Sequence, residues 1–340
     1  MKKKSSKRHL ITALKFGLSI AILWYLFNSA AKDDEFENFF ARQKQWGWIG
    51  LGFVGAVAAH LFGFYRWRVM LRALDVPFSN MDAIRIGFIG VLFNMITVGV
   101  IGGDALRAFY VTRQVKDKTP EAISSVVADR IIGLLTMFTV ASTMFLFLDT
   151  SNFVDSDLAN LNKVCRFVLV LTVLGYVGIF AIFCAPWVTQ TKFYQSLMHL
   201  PKIGEVIKKL TSVVLMYRTK PGAVAFSFLL SIGVNICFAV AIYSIAVGTT
   251  ENYPSFADHF VIEPIAMVSN AVPLPGGIGG MEWSMKLLYG AFGSKSGVIV
   301  AFAFRFSLLF VTVIGAVFWF MNKSKVSDVM SATNPDQENE

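Results

Sequence analysis

Two arginines and two carboxylates stand where apolar sequence leaves little room for charge. Arg130 opens, and Arg305 interrupts, a long run otherwise free of ionisable residues, while Asp104 and Glu282 each follow a glycine-rich break. An ionised side chain at the centre of a membrane helix costs at least about 2.5 kcal/mol, so it normally has a partner or a purpose. Guanidinium presents a rigid fork of donors that takes a carboxylate or a phosphate two bonds at a time. The chemistry these four residues suit is reversible capture of an anion: each carboxylate pairs with an arginine and gives it up to a lipid phosphate. The alternative for Asp104 and Glu282 is helix capping, because an acid just after a break accepts bonds from unpaired backbone N–H groups and complements the positive helix end.

Several neighbours join this set. Arg107 lies one helical turn beyond Asp104. Asp129 precedes Arg130 and so points about 100° away on a helix, either as a proton-coupling carboxylate or as a partner for Arg107. Asn94 and Asn270 are placed to satisfy backbone exposed at the breaks. Glu263, just before Pro264, reads as interfacial, and His60, alone on an apolar stretch, as a packing histidine. No HExxH, Gly-x-Ser-x-Gly or P-loop pattern occurs, and His9, His60, His199 and His259 do not share metal-ligand spacings with cysteines or carboxylates. No catalytic residue, metal site or cofactor is therefore expected, and enzymatic activity has no support.

The elements that must position these groups follow from composition. The chain has 340 residues, 55% hydrophobic and 16% charged, with a mean hydropathy of +0.59. Soluble domains carry roughly 25% charged residues, so the expectation is an all-α integral membrane protein. The three cysteines, Cys165, Cys184 and Cys237, lie in apolar stretches and read as small core residues. The net charge of +9 is scattered between hydrophobic segments rather than gathered on one face, which argues against nucleic acid as a partner.

A membrane helix needs about 20 mostly apolar residues. Six runs qualify: Ile11 to Ala31, Trp46 to Tyr65, Ile131 to Leu148, Phe167 to Val188, Ala223 to Thr250 and Gly297 to Met321. Two more uncharged runs, Ile86 to Gly103 and Pro264 to Met281, are broken by glycine and proline at Gly102, Gly103, Pro275, Gly276, Gly277, Gly279 and Gly280. Each glycine costs a helix interior roughly 1 kcal/mol and each proline about 3. Charge decides whether these runs cross. If both fold back as re-entrant hairpins, segments 2–8, 66–85, 104–121, 188–221 and the tail with Lys323 and Lys325 share one side, leaving Lys32, Arg42, Lys44, Lys163, Lys286 and Lys295 on the other. That distribution obeys the positive-inside rule, with both termini cytoplasmic; if both runs crossed, two of the most basic loops would move outside.

The breaks also resemble each other. Gly99 to Asp104 overlays Gly276 to Met281 with Glu282 one place beyond, and at nearly the same offset Asn94 matches Asn270 and Arg130 matches Arg305. The predicted organisation is an N-terminal tail, first anchor and outer loop (1–45), repeat A (46–148), a connecting helix and basic segment (149–221), repeat B (222–321) and a polar, disordered tail (322–340). The repeats would have opposite orientation, the sequence pointer to a transporter site near the midplane; chance similarity of glycine-rich segments is the alternative. The first span reads as an uncleaved anchor rather than a signal peptide, its apolar stretch being longer than a usual leader. Segment 192–220, mixing bulky apolar residues with lysines, suits either a helix lying in the cytoplasmic interface or a solvated linker.

These blocks carry a resemblance. The stretch from Asn94 through Gly102, Gly103, Asp104 and Arg107, then Asp129, Arg130, Gly133 and Leu134, then Pro273, Pro275, Gly276, Gly277, Gly279, Gly280 and Glu282, is similar to the lysylphosphatidylglycerol synthase transmembrane region. This flippase-like family includes the membrane half of the multiple peptide resistance factor. The resemblance covers roughly residues 10 to 321 and implies a bacterial or archaeal inner-membrane protein that moves a lipid between leaflets. Only a short polar tail follows Met321, so aminoacylation by this chain is not expected. Membrane lipids are the implied partners, alongside a homo-oligomer or a membrane partner protein.

Overall fold

The computed structural model describes residues 17, 21–29, 31, 35–96, 101–148, 155–184, 190–198, 203–270 and 279–321. The described residues form helices and connecting turns, with no strand among them. The apolar composition requires this, because backbone polar groups away from water must be satisfied within their own segment. The helices are α1 (21–29), α2 (Glu35–Ala41), α3 (Trp46–Ala73), α4 (Asn80–Ile96), α5 (Ile101–Gln114), α6 (Thr119–Leu146), α7 (Asp155–Cys184), α8 (Lys192–Met198), α9 (Ile203–Tyr217), α10 (Pro221–Thr249), α11 (His259–Ser269), α12 (Gly280–Ala291) and α13 (Gly297–Met321). Five of them, α3, α6, α7, α10 and α13, are long and apolar enough to cross a membrane. The expected first span, Ile11 to Ala31, is described only in part, and the tail beyond Met321 lies outside the described residues.

The antiparallel pair α3 and α10 forms the spine. At one end Gln45 donates its N–H to Gly248 O at 3.2 Å. At the other, Tyr217 Oη donates to Met70 O at 2.9 Å and Lys220 Nζ lies 3.8 Å from Asp75 Oδ2. This second end carries Arg68, Arg72, Lys118, Arg218 and Lys220 and is the basic end of the bundle.

Both glycine-broken runs return to the end they start from. α4 packs against α5, and Lys118 Nζ, just after α5, donates to Asp75 O, just before α4, at 2.6 Å. Trp67, Val76 and Phe78 bury together with Val111 and Ala122, sealing the base of this hairpin at the basic end. α11 packs against α12, and its base is closed by His259 Nε2 and Tyr289 Oη at 2.8 Å, Asn252 Nδ2 donating to Gly293 O at 3.2 Å, and Ser294 Oγ donating to Asn252 O at 2.6 Å. That base sits beside the end of α10, at the opposite end from the first. Two hairpins therefore enter the bundle from opposite ends.

The hairpins are longer than the uncharged runs. α4 starts at Asn80, α5 continues to Gln114, and α11 starts at His259, upstream of Glu263. Likewise α3 runs past Arg66 to Ala73 and α6 begins at Thr119, well before Arg130. A span ended at every charge is too short wherever that charge faces an internal cavity, and Arg66, Glu263 and Arg130 all do. Two residues assigned to cytoplasmic loops, Arg66 and Arg107, are in fact buried cavity residues; the remaining loop cations keep the basic end basic. α9 lies near that end and buries Val213 and Tyr217 against Met70, Ala128 and Ile132 while Lys208 and Lys209 stay exposed.

An arginine-lined cavity as the candidate functional site

A cavity of about 430 Å³ opens between the two hairpins and helices α3, α6, α10 and α13. Each long helix lends it a stripe of side chains at helical spacing: Ala59, His60, Gly63 and Arg66; Arg130, Gly133, Leu134 and Met137; Ser231, Val234, Asn235 and Phe238; Arg305, Leu308 and Thr312. Residues three and four apart share one face of a helix. The first hairpin contributes Asn94, Asp104 and Arg107, and the second Glu263, Met267 and Asn270. Leu134, 45% exposed, also lines the cavity.

Four guanidinium groups line this space, each in different surroundings. Arg130 donates from Nε and Nη2 to the two oxygens of Asp104, both at 2.6 Å, and its side chain remains 41% exposed. Arg305 donates from Nε to Glu282 Oε1 at 2.7 Å and from Nη1 to Asn270 Oδ1 at 3.1 Å, with side-chain exposures of 10% and 1% for arginine and glutamate. Arg66 donates to Asp129 Oδ1 at 2.7 Å and also to Ser231 Oγ. Gly133 makes room for it: a Cβ there would lie 3.2 Å from Arg66 Nη2. Arg107 sits over the faces of Phe64 and Trp67, 5.4 and 5.5 Å from the ring centroids. Its nearest carboxylate is the already engaged Asp104, 3.9 Å away, and its Nε has no hydrogen-bond partner.

The two helix starts after the breaks are satisfied in different ways. Gly279, at φ +103°, donates its N–H to Glu282 Oε2 at 2.8 Å, so Glu282 both caps α12 and holds Arg305. In the first hairpin the N–H of Gly103 goes to Asn94 Oδ1 across the hairpin at 2.7 Å, and both Asp104 oxygens go to Arg130. Among the described residues, a capping bond is thus made by Glu282 and not by Asp104. Replacing Gly279 by alanine is expected to destabilise the protein by about 1–2 kcal/mol, the usual strain of a Cβ in left-handed backbone. The added carbon would also press on Ile22 Cγ2 at 3.1 Å. Denaturant titration of the purified protein in detergent checks this, and an unchanged midpoint contradicts it.

Of the residues singled out from sequence, Asn94, Asp104, Arg107, Asp129, Arg130, Asn270 and Arg305 all line the cavity, and Glu282 stands behind Arg305. Gly102, Gly103, Gly279 and Gly280 lie at helix starts, whereas Pro275, Gly276 and Gly277 fall outside the described residues. Two assignments change. Asp129 pairs with Arg66 rather than Arg107, because its turn of α6 faces α3. Glu263 is not interfacial: it is 1% exposed and lines the cavity, because α11 continues through Pro264 and carries it inward. Sequence reading missed Arg66, Ser231 and Asn235. The signal for Arg66 was there: it continues the stripe of Ala59, His60 and Gly63 by one turn.

A family model described as the lysylphosphatidylglycerol synthase TM region matches residues 12–327. The chain belongs to that family. No curated protein and no solved structure matches it. As a lysylphosphatidylglycerol synthase membrane region it is a multi-pass membrane protein of a lipid-related family, and the matched span takes in α3 through α13 with every residue of the cavity. In this lysylphosphatidylglycerol synthase region, therefore, the charged cavity sits within the part of the chain that defines the family.

Proposed function

We propose that the chain is a flippase-like transporter that moves an anionic or modified phospholipid, or a polyprenyl-linked lipid, between the leaflets of a bacterial or archaeal inner membrane, with both termini cytoplasmic. One observation carries this reading: four arginines converge on a single cavity where hairpins from opposite ends of the bundle meet. A head-group phosphate is the natural ligand for such a set, since a guanidinium engages phosphate and carboxylate with the same bidentate geometry. Arg130, the most accessible of the paired arginines, would exchange Asp104 for the phosphate, with Arg107 already beside Asp104 to take over that carboxylate. Apolar Leu134, Met137, Val234 and Phe238 would border the acyl chains while the head group stays inside.

The halves 46–148 and 222–321 read as an inverted repeat, each with one long helix, one hairpin and one long helix bearing Arg130 or Arg305. Rocking of one half against the other would expose the site alternately to the two sides. The two pairs differ in access as that cycle requires, Arg130 half open and Arg305 enclosed. With no nucleotide-binding motif, the drive would come from the lipid gradient, the membrane potential or protons.

Purified protein in liposomes should speed the crossing of a labelled anionic phospholipid. Arg130→Ala should slow it by about ten- to a hundredfold, since a hydrogen bond to a charged group is worth about 1.5–3 kcal/mol, while the protein stays folded. Absence of acceleration with every lipid tried would leave a different role, a membrane accessory or enzyme subunit in lipid or glycan assembly. The engagement of three arginines by carboxylates within the chain is compatible with that structural role.

A further inference from the structure

One carboxylate in the cavity has no arginine. Asp104, Asp129 and Glu282 each hold one at 2.6–2.7 Å, but Glu263 forms no ion pair among the described residues, and its Oε2 is buried without a hydrogen-bond partner. Asn235, on the neighbouring helix α10, is 1% exposed, and its Oδ1 is also unpartnered. Both residues line the cavity. Buried polar atoms are nearly always paired, so two acceptors left open in one cavity call for a donor not found among the described residues. An ionised carboxylate buried without a partner is costly enough that such groups take up a proton instead.

We infer that Glu263 is a proton-binding site whose protonation is linked to occupancy of the cavity by an anionic head group. This rests on the transporter reading and adds the coupling ion to it. A metal cation fits less well than a proton. Hard cations gather several oxygen ligands, whereas Asn235 already spends its Nδ2 on Ser231 O and the Ser231 hydroxyl is taken by the Arg66 guanidinium, a positive charge one turn away. A proton needs a single oxygen.

The summed charge of the cavity, rather than a direct partner of Glu263, explains the linkage. α6 brings Asp129 and Arg130, α12 brings Glu282 and Tyr289, α13 brings Arg305, α3 brings Arg66 and His60, and α5 brings Asp104 and Arg107; α10 brings no charged residue, and His259 lies at the far end of α11 itself. Arg66, Arg107, Arg130 and Arg305 carry four positive charges, and Asp104, Asp129 and Glu282 offset three of them, so the charge of Glu263 decides the net charge of the cavity. With Glu263 neutral, the cavity carries one unmatched positive charge and attracts an anion. With Glu263 ionised, the charges balance and the attraction fades. Proton and anion therefore bind together.

The test is calorimetric titration of the detergent-solubilised full chain with a short-chain phosphatidylglycerol over a pH series. In the unaltered protein affinity should fall as pH rises, by up to about tenfold per pH unit. Glu263→Gln should hold the low-pH affinity throughout, and Glu205→Gln, at an exposed carboxylate on α9 outside the cavity, should follow the unaltered protein. Equal pH dependence in Glu263→Gln and the unaltered protein overturns the proton site and leaves the transporter reading standing. If Glu263→Gln abolishes the pH dependence but the unaltered protein moves no lipid in vesicles, the transporter reading falls and the proton site remains; no binding at any pH overturns both. Should Glu263→Gln not fold, Glu263→Asp must shift the pH midpoint of binding, and an unshifted midpoint overturns the assignment.

Discussion

Replacing Gly103 by alanine is expected to abolish the native packing of the first hairpin. An ideal Cβ at this position would lie 2.1 Å from the carbonyl oxygen of Gly90 and 2.7 Å from Asn94 Oδ1. The first of these atoms is backbone in the middle of α4 and cannot swing aside as a side-chain tip would. Relief requires α4 and α5 to separate, which also stretches the 2.7 Å bond from Gly103 N–H to Asn94. Overpacking a well-filled core costs typically 1–3 kcal/mol, and a clash with fixed backbone stands at or above the top of that range. The measurement is the recovery of monodisperse protein from detergent and its denaturation midpoint. Gly290→Ala is the control, because nothing lies within 4 Å of a Cβ there. It replaces a glycine in α12, where alanine is favoured by roughly 0.5–1 kcal/mol. Equal stability of the two variants would show that the hairpin does not close as tightly as described.

Glu282→Ala should be the most damaging removal of a charge. Arg305, 10% exposed, would keep its charge without the carboxylate that faces it, and breaking a buried pair from one side costs about 3–5 kcal/mol. Loss of the bond from Gly279 N–H adds about 1 kcal/mol, the usual value of a helix cap. Removing both charges, as Glu282→Met with Arg305→Met, should be less harmful than Glu282→Ala alone, since no buried charge is left without its opposite charge. The non-additivity of the double-variant cycle reads the coupling directly. The equivalent change in the other half, Asp104→Ala, should destabilise less, because Arg130 is 41% exposed and reaches solvent-accessible space. If Asp104→Ala and Glu282→Ala proved equally destabilising, the difference in enclosure between the two pairs would carry no energetic weight.

The charge criterion that located the membrane segments also set their errors. Runs without Asp, Glu, Lys or Arg correctly located α3, α6, α7, α10 and α13, because lipid-facing helices exclude charge whatever their neighbours. The same rule cut α3 at Tyr65 and α11 at Pro264, since Arg66 and Glu263 look, in one dimension, like the edge of the membrane. Glycine and proline marked the two hairpins, and loop charge indicated that each returns to its own side; the contacts of Lys118 with Asp75 and of His259 with Tyr289 agree.

Composition and spacing by themselves determined an all-helical membrane chain, the positions of its breaks, and four residues whose burial needs explanation. These are local properties: hydrophobic length, helix-breaking residues, and a charge where none is tolerated without reason. Only the tertiary structure decided who meets whom. Arg66 and Asp129 are brought together from α3 and α6, Arg107 is left between two aromatic faces, and Glu263 is turned into the cavity with no ion pair among the described residues. Which of four acids lacks an arginine depends on how helices distant in sequence rotate against one another, and the packing of their faces, not the order of residues along any one of them, sets that rotation.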